Sequence, residues 1–263
     1  MPDFIAVPFQ DRILSIEHLW LNADRIGQPL LVFLHEGLGS VSMWRDFPQR
    51  LCDAANCRGL VFSRYGYGCS TPRPDGEKWP VDFMHQQAAA FMPALFAALN
   101  VQDERPILFG HSDGGSIALL YAALHPQQPL GVIALAPHIM VEPVSVDSIA
   151  KTRQAYLGTD LKQRLARHHQ DPDSAFWGWN DVWLNPAFAH WNIEALLPSI
   201  RCPVLAIQGV DDEYGTLAQI RGIARALPAT RLVELAACGH SPHRDQGPAV
   251  IREVTEFLEM LQA

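Results

Sequence analysis

A chain of 263 residues, 48% of them hydrophobic, holds enough apolar material for one large α/β domain or two small ones. Its 20 basic and 28 acidic residues give a formal charge of −8, and no Lys/Arg cluster offsets this locally, so a phosphate backbone is disfavoured as partner and nucleic-acid binding is set aside. Apolar stretches are strand-sized, far short of a bilayer span. Residues 1–10 contain Pro2, Asp3 and Pro8 and lack a basic start followed by an apolar run, so they do not read as a signal peptide. Five scattered cysteines (Cys52, Cys57, Cys69, Cys202, Cys238) form no C-x-x-C pair; the expectation is reduced thiols in a soluble cytoplasmic protein.

Strand-like and helix-like segments alternate along the chain. Residues 13–20 read as an early strand, paired antiparallel with the segment before it. Residues 30–34 are continuously apolar, as suits a strand buried on both faces, and 60–62 are similar. An apolar pattern of helical length covers 81–99. A short strand at 107–109 lies between Pro106 and Gly110, and a helix at 116–124 stops before Pro126. Strands follow at 131–136, 204–208 and 232–235. A helix at 216–227 separates the last two, and another at 249–261 ends the chain. This alternation predicts an α/β fold, a mostly parallel central sheet flanked by helices.

Residues 142–198 break the rhythm. They show no strand pattern, read as helical at 148–156 and 160–168, and hold Trp177, Trp179, Trp183 and Trp191 with Tyr156, Phe176 and Phe188. An insertion of this length after the sixth strand predicts a helical cap, leaving 1–141 and 199–263 as the core domain. The cap would cover the C-terminal ends of the strands, where open α/β sheets bind ligands. Its aromatic residues either form its own core or line a pocket, with Trp177 and Trp179 as candidate substrate contacts.

Gly110-His-Ser-Asp-Gly114 matches G-x-S-x-G between a short apolar strand and an apolar helix, the setting in which a serine is projected from a sharp turn. Ser112 is therefore the candidate nucleophile. A serine hydroxyl needs a base. His240, in Cys238-Gly-His240 after the last strand, is the leading candidate, with His243 its competitor. His111 is expected to point away. The base needs an acid to fix its tautomer; Asp211 and Asp212 follow the strand at 204–208, and either could serve. The oxyanion needs donors. One is the amide of Asp113; the other is assigned to Gly37, in the glycine-rich loop Leu34-His-Glu-Gly-Leu-Gly-Ser40.

Together these segments resemble the α/β-hydrolase superfamily, in particular its small capped members. The resemblance covers almost the whole chain: the loop at His35, Gly66-Tyr-Gly-Cys-Ser70, the turn at Ser112, Gly209-x-x-Asp212 and Gly239-His240. It implies the α/β-hydrolase fold, Asp212 as the acid and His240 as the base. Three departures stand out. The common His-Gly pair is His35-Glu36 here, the residue after the nucleophile is Asp113, and Tyr65 replaces an arginine often found before Gly66. Glu36 and His35 join the candidate substrate contacts.

The expected activity is a serine hydrolase cleaving a small ester or related acyl substrate through an acyl-enzyme, with neither metal nor organic cofactor and a small molecule as partner. C–C bond hydrolysis would call for a cap cation such as Lys151, Arg153, Arg164 or Arg167. An aminopeptidase would call for acids such as Glu142, Asp171 or Asp173. A non-catalytic ligand-binding relative is the remaining alternative. The sequence sets no oligomeric state.

Overall fold

The computed structural model describes residues 2–262. Met1 and Ala263, the outer ends of the expected core domain, lie outside the described residues. The apolar segments build one eight-stranded sheet. In chain order its strands are β1 (Asp3–Phe9), β2 (Arg12–Leu21), β3 (Leu30–Leu34), β4 (Arg58–Phe62), β5 (Ile107–His111), β6 (Gly131–Leu135), β7 (Val204–Gly209) and β8 (Arg231–Leu235). In space the order is β1-β2-β4-β3-β5-β6-β7-β8. β2 runs antiparallel to both neighbours; every pair from β4 to β8 is parallel.

The helices are α1 (Phe47–Ala54), α2 (Phe83–Gln86), α3 (Met92–Ala98), α4 (Asp113–Leu124), α5 (Pro143–Gly158), α6 (Leu161–Leu165), α7 (Pro172–Trp183), α8 (Ala218–Ala226), α9 (Pro242–Asp245) and α10 (Gly247–Gln262). Residues 81–99 are not one uniform helix. A π turn at Gln87–Phe91 separates α2 from α3, just ahead of Pro93, which has no N–H to donate to a regular helical ladder.

Helices cover both faces of the sheet, which explains the uninterrupted apolar strands. Leu30, Val32 and Leu34 of β3 enter the core layer shared with α3, α4 and the insertion; Leu31 and Phe33 enter the layer under α1 and α10. α4 is apolar on every side because it is buried on every side. Phe109, just before the turn at Ser112, packs against Phe33, Phe47 and Trp44 at centroid distances of 5.1, 5.6 and 5.9 Å. Truncating such a side chain to alanine costs about 3–5 kcal/mol.

Between β6 and β7 the chain forms α5, α6 and α7, with a single β-bridge, Met140 to Asn192. α7 was not anticipated. Its start was nevertheless written in the sequence: Asp171 accepts from the Ser174 amide at 2.9 Å as N-cap, and Pro172 follows in the first turn. The register, which pairs Leu34 with Gly110 and Gly209 with Leu235, brings the loops after β3, β5, β7 and β8 to one edge of the sheet.

Candidate active site

β5 ends at His111, and α4 begins at Asp113 with no intervening loop. Ser112 between them has φ 53° and ψ −121°, a left-handed conformation that costs a non-glycine residue about 1–3 kcal/mol and persists only where the surroundings enforce it. The Ser112 amide donates to the Leu135 carbonyl at 2.9 Å, and the Ser112 carbonyl accepts from the Ser116 amide at 3.0 Å. A Cβ on Gly114 would collide with the Leu34 carbonyl, so the helix can press against β3 only with glycine there. The helix begins at Asp113, three residues before the expected start at 116.

Ser112 Oγ lies 2.9 Å from His240 Nε2. The other ring nitrogen, Nδ1, lies 2.8 and 3.0 Å from the two carboxylate oxygens of Asp212. That carboxylate is itself held by the Tyr214 and Gly215 amides at 2.8 and 3.2 Å and by Gln208 Nε2 at 3.0 Å. Burial would raise the pKa of Asp212, but the His240 hydrogen bond and these donors outweigh it and hold the carboxyl below its ordinary value. The two competitors separate cleanly. Asp211 is exposed on the neighbouring turn. His243 is buried against Trp44 at 4.9 Å and Phe47 at 5.4 Å, where burial presses it down to about 2.

Gly37 and Asp113 line the same pocket as Ser112 and His240, and their amides donate to no protein acceptor among the described residues. The Asp113 side chain is buried; its Oδ1 accepts from Trp183 Nε1 at 3.1 Å, and its Oδ2 has no partner. Burial lifts the Asp113 carboxyl to about 6, against the opposing pull of Arg64 and the Trp183 hydrogen bond. Glu36 is partly buried, its carboxylate 3.5 Å from His111 Nδ1 and 4.0 Å from Arg244. Burial acts to raise its pKa, yet His111 holds it well below the usual carboxylate range. Neither acid bonds to the main chain.

Tyr65 replaces the arginine common before Gly66, but a cation stands one residue earlier: Arg64 is buried and donates to the Glu36 carbonyl at 2.9 Å. His35 is no substrate contact, because it lies beneath the loop with Nε2 accepting from the Arg64 amide at 3.0 Å and Nδ1 bonded to the Glu36 carbonyl.

A pocket of about 150 Å³ opens on Ser112, comparable to a cavity that takes up benzene. Leu38, Ile149, Trp179, Trp183 and Tyr214 form its apolar wall; Glu36, Asp113, His111, His138 and His240 form its polar side. Trp179 lies so close over Gly37 that a Cβ there would strike its indole nitrogen. Trp177 is corrected: it faces a separate surface groove with Asp173 and Asp181, beneath the Arg153 guanidinium at 5.2 Å.

His138, missed in the sequence, stacks edge-on to Trp183 at 4.8 Å and is pressed down to about 3 by burial and the neighbouring His240. The usable signal was its place just after β6, at the ligand-binding edge of a parallel sheet. Insertion acids considered for an amine are engaged elsewhere: Glu142 by Thr216 and Gln219, Asp171 as the α7 cap, and Asp173 by Tyr156 and Lys162. Among the described residues no group of three or more His, Cys, Asp or Glu is arranged to hold a metal ion, and no helix is long and apolar enough to cross a membrane.

Comparison with known proteins gives a matching family model, that of the alpha/beta hydrolase family, over residues 31–253. The Biotin biosynthesis bifunctional protein BioHC of Cellvibrio japonicus is 27% identical over 196 residues, covering 65% of this chain and 39% of that protein. The chain spans no more than 39% of the length of the curated relatives it matches. The enol-lactonase from Burkholderia xenovorans LB400 superimposes with a TM-score of 0.71 at 22% identity, over 94% of this chain and 97% of that one. A thermophilic esterase from Thermogutta terrifontis gives a TM-score of 0.72 at 18% identity, over 100% of both chains. At these identities the structural likeness speaks for the fold.

Proposed function

The chain belongs to the alpha/beta hydrolase family, and on that premise we propose that it is a serine hydrolase cleaving a small ester or related acyl compound through an acyl-enzyme. The observation that carries the reading is the unbroken run from Ser112 Oγ through the His240 ring to the Asp212 carboxylate.

In this reading His240 Nε2 takes the Ser112 proton as Oγ attacks the substrate carbonyl. Asp212 holds the Nδ1–H tautomer and stabilises the imidazolium. The Gly37 and Asp113 amides receive the oxyanion. Both residues line the pocket and their amides are free of other protein acceptors among the described residues, which supports this assignment. The leaving group departs with the proton from His240. Water, deprotonated by the same ring, then attacks the acyl-enzyme and regenerates Ser112 with release of the acid.

The insertion acts as a cap that sets substrate size. A pocket of about 150 Å³ lined by Trp179, Trp183 and Ile149 suits a short or benzene-sized acyl group. No lysine or arginine lines it among the described residues, which favours an uncharged ester over the carboxylate-bearing substrates of C–C bond hydrolysis. Lys151, Arg164 and Arg167 lie exposed, and Arg153 covers Trp177. Five unpaired cysteines fit a reducing, cytoplasmic setting.

The test is labelling by a fluorophosphonate, with a screen of short acyl p-nitrophenyl esters, vinylogous diketones and aminoacyl anilides against wild type and Ser112→Ala. Labelling at Ser112 and ester turnover, both absent in Ser112→Ala, are expected. Folded wild-type protein that is neither labelled nor active on any ester overturns the proposal.

A further inference from the structure

His240 sits in a loop between β8 and α9, outside any strand or helix ladder. Its main chain is nevertheless fixed at both ends. The His240 amide donates to Glu213 Oε2 at 3.1 Å, and the His240 carbonyl accepts from His111 Nε2 at 2.6 Å. The preceding Gly239 amide donates to Asp245 at 2.9 Å. Of these partners, Glu213 and Asp245 are exposed, whereas His111 is 1% exposed.

His111 is the last residue of β5 and the neighbour of Ser112. Its ring packs against His243 at 4.9 Å, Trp44 at 6.3 Å and the His240 ring at 5.2 Å. The Nδ1 side faces Glu36, whose carboxylate lies over Gly39 at the edge of the same pocket. Nε2 must donate to a carbonyl that can only accept, which fixes the proton on that nitrogen; Nδ1 lies 3.5 Å from the Glu36 carboxylate and makes no hydrogen bond.

The contacts close a short circuit. It runs from Ser112 through the backbone to His111, across to the His240 carbonyl, through the His240 ring and back to Ser112 Oγ. A circuit of this size fixes the gap between nucleophile and base using atoms that do not react. We infer that His111 is a positioning residue for His240. The inference rests on the serine-hydrolase reading.

The experiment compares His111→Leu and His111→Gln with wild type. It measures the rate of Ser112 labelling by a fluorophosphonate, kcat and KM for p-nitrophenyl acetate, and the low-field proton resonance of the His240–Asp212 hydrogen bond. His111→Leu fills the space without donating. Its kcat and labelling rate are expected to fall about 10- to 100-fold with little change in KM, since small misplacements of reacting groups have effects of this order. The low-field resonance is expected to shift or broaden. His111→Gln, whose amide can reach the His240 carbonyl, restores both readouts to within a few-fold. Should His111→Leu not fold, His111→Asn, too short to reach the carbonyl, takes its place with the same expectation. Labelling of His111→Leu at the wild-type rate, or equal impairment in Leu and Gln, overturns the inference and leaves the hydrolase reading intact. Absence of labelling in wild type overturns both.

Discussion

Replacing Asp113 by asparagine isolates the effect of one buried charge beside the nucleophile. The carboxyl is lifted from 3.8 to about 6 by burial, so between these values the folded protein keeps a proton that the unfolded chain has released. The Asp113 contribution to stability therefore falls as pH rises through this window and levels off above pH 6. The difference, 6 − 3.8, is about 2.2 pH units; at about 1.4 kcal/mol each, the ionised form costs ~3 kcal/mol. Asparagine has nothing to titrate and still offers an oxygen to Trp183 Nε1. Asp113→Asn is expected to be more stable than wild type at pH 7.5, with the gap shrinking by about 2 kcal/mol at pH 4.5. Urea unfolding at both pH values reads this as a pH-dependent difference in midpoint. Titrations of His138, His169 and His243 are common to both proteins and cancel. A gap that stays constant between pH 4.5 and 7.5 would refute the reasoning. The activity ratio of variant to wild type should also rise through pH 6, because the native carboxylate opposes the oxyanion.

Other perturbations address the remaining parts of the site. Asp212→Asn should fold but lose activity by on the order of ten-thousandfold in p-nitrophenyl ester assays, since an amide cannot hold the Nδ1–H tautomer of His240. Gly37→Ala drives a methyl into the Trp179 ring; a roughly hundredfold loss of kcat, in the range for a displaced oxyanion donor, should accompany a change in tryptophan fluorescence. His169 is pressed down to about 4 by burial, so its contribution to stability is lost as pH falls from 6.5 toward 4, where only the unfolded chain takes up the proton. His169→Gln should flatten that acid limb of the unfolding profile.

The parts of this molecule legible in its sequence are those fixed by local constraint. A strand buried on both faces must be apolar throughout, and 30–34 and 107–109 could hardly read otherwise. The turn at Ser112 demands small neighbours within two residues. Asp211 and Asp212 were inseparable on residue type alone, because the choice depends on how the loop after β7 turns; family spacing favoured Asp212, the residue that meets His240. The Trp177 error was avoidable. Residues two apart on a helix point away from each other, whereas 176, 179 and 183 recur at three and four. Phe176, Trp179 and Trp183 face the interior together, leaving Trp177 outside. Contacts such as Trp183 to Asp113, 70 residues apart, have no local signature, and the engagement of Glu36 by His111 was hidden for the same reason.

The insertion touches the core through more than its packing face. His169 accepts from the Gly68 amide at 2.9 Å, and its other nitrogen bonds the Leu38 carbonyl at 2.9 Å, one residue from Gly37. Ser174 bonds the Gly66 carbonyl and the Arg73 amide, and Trp183 bonds Asp113. For protein engineering, the swappable module is therefore not the aromatic lining alone. A chimera that borrows a different roof must import the equivalents of His169, Ser174 and Trp183 with it, or the graft will leave a well-folded sheet whose loop at Gly37 is still held by Arg64 but has lost its ties to the roof.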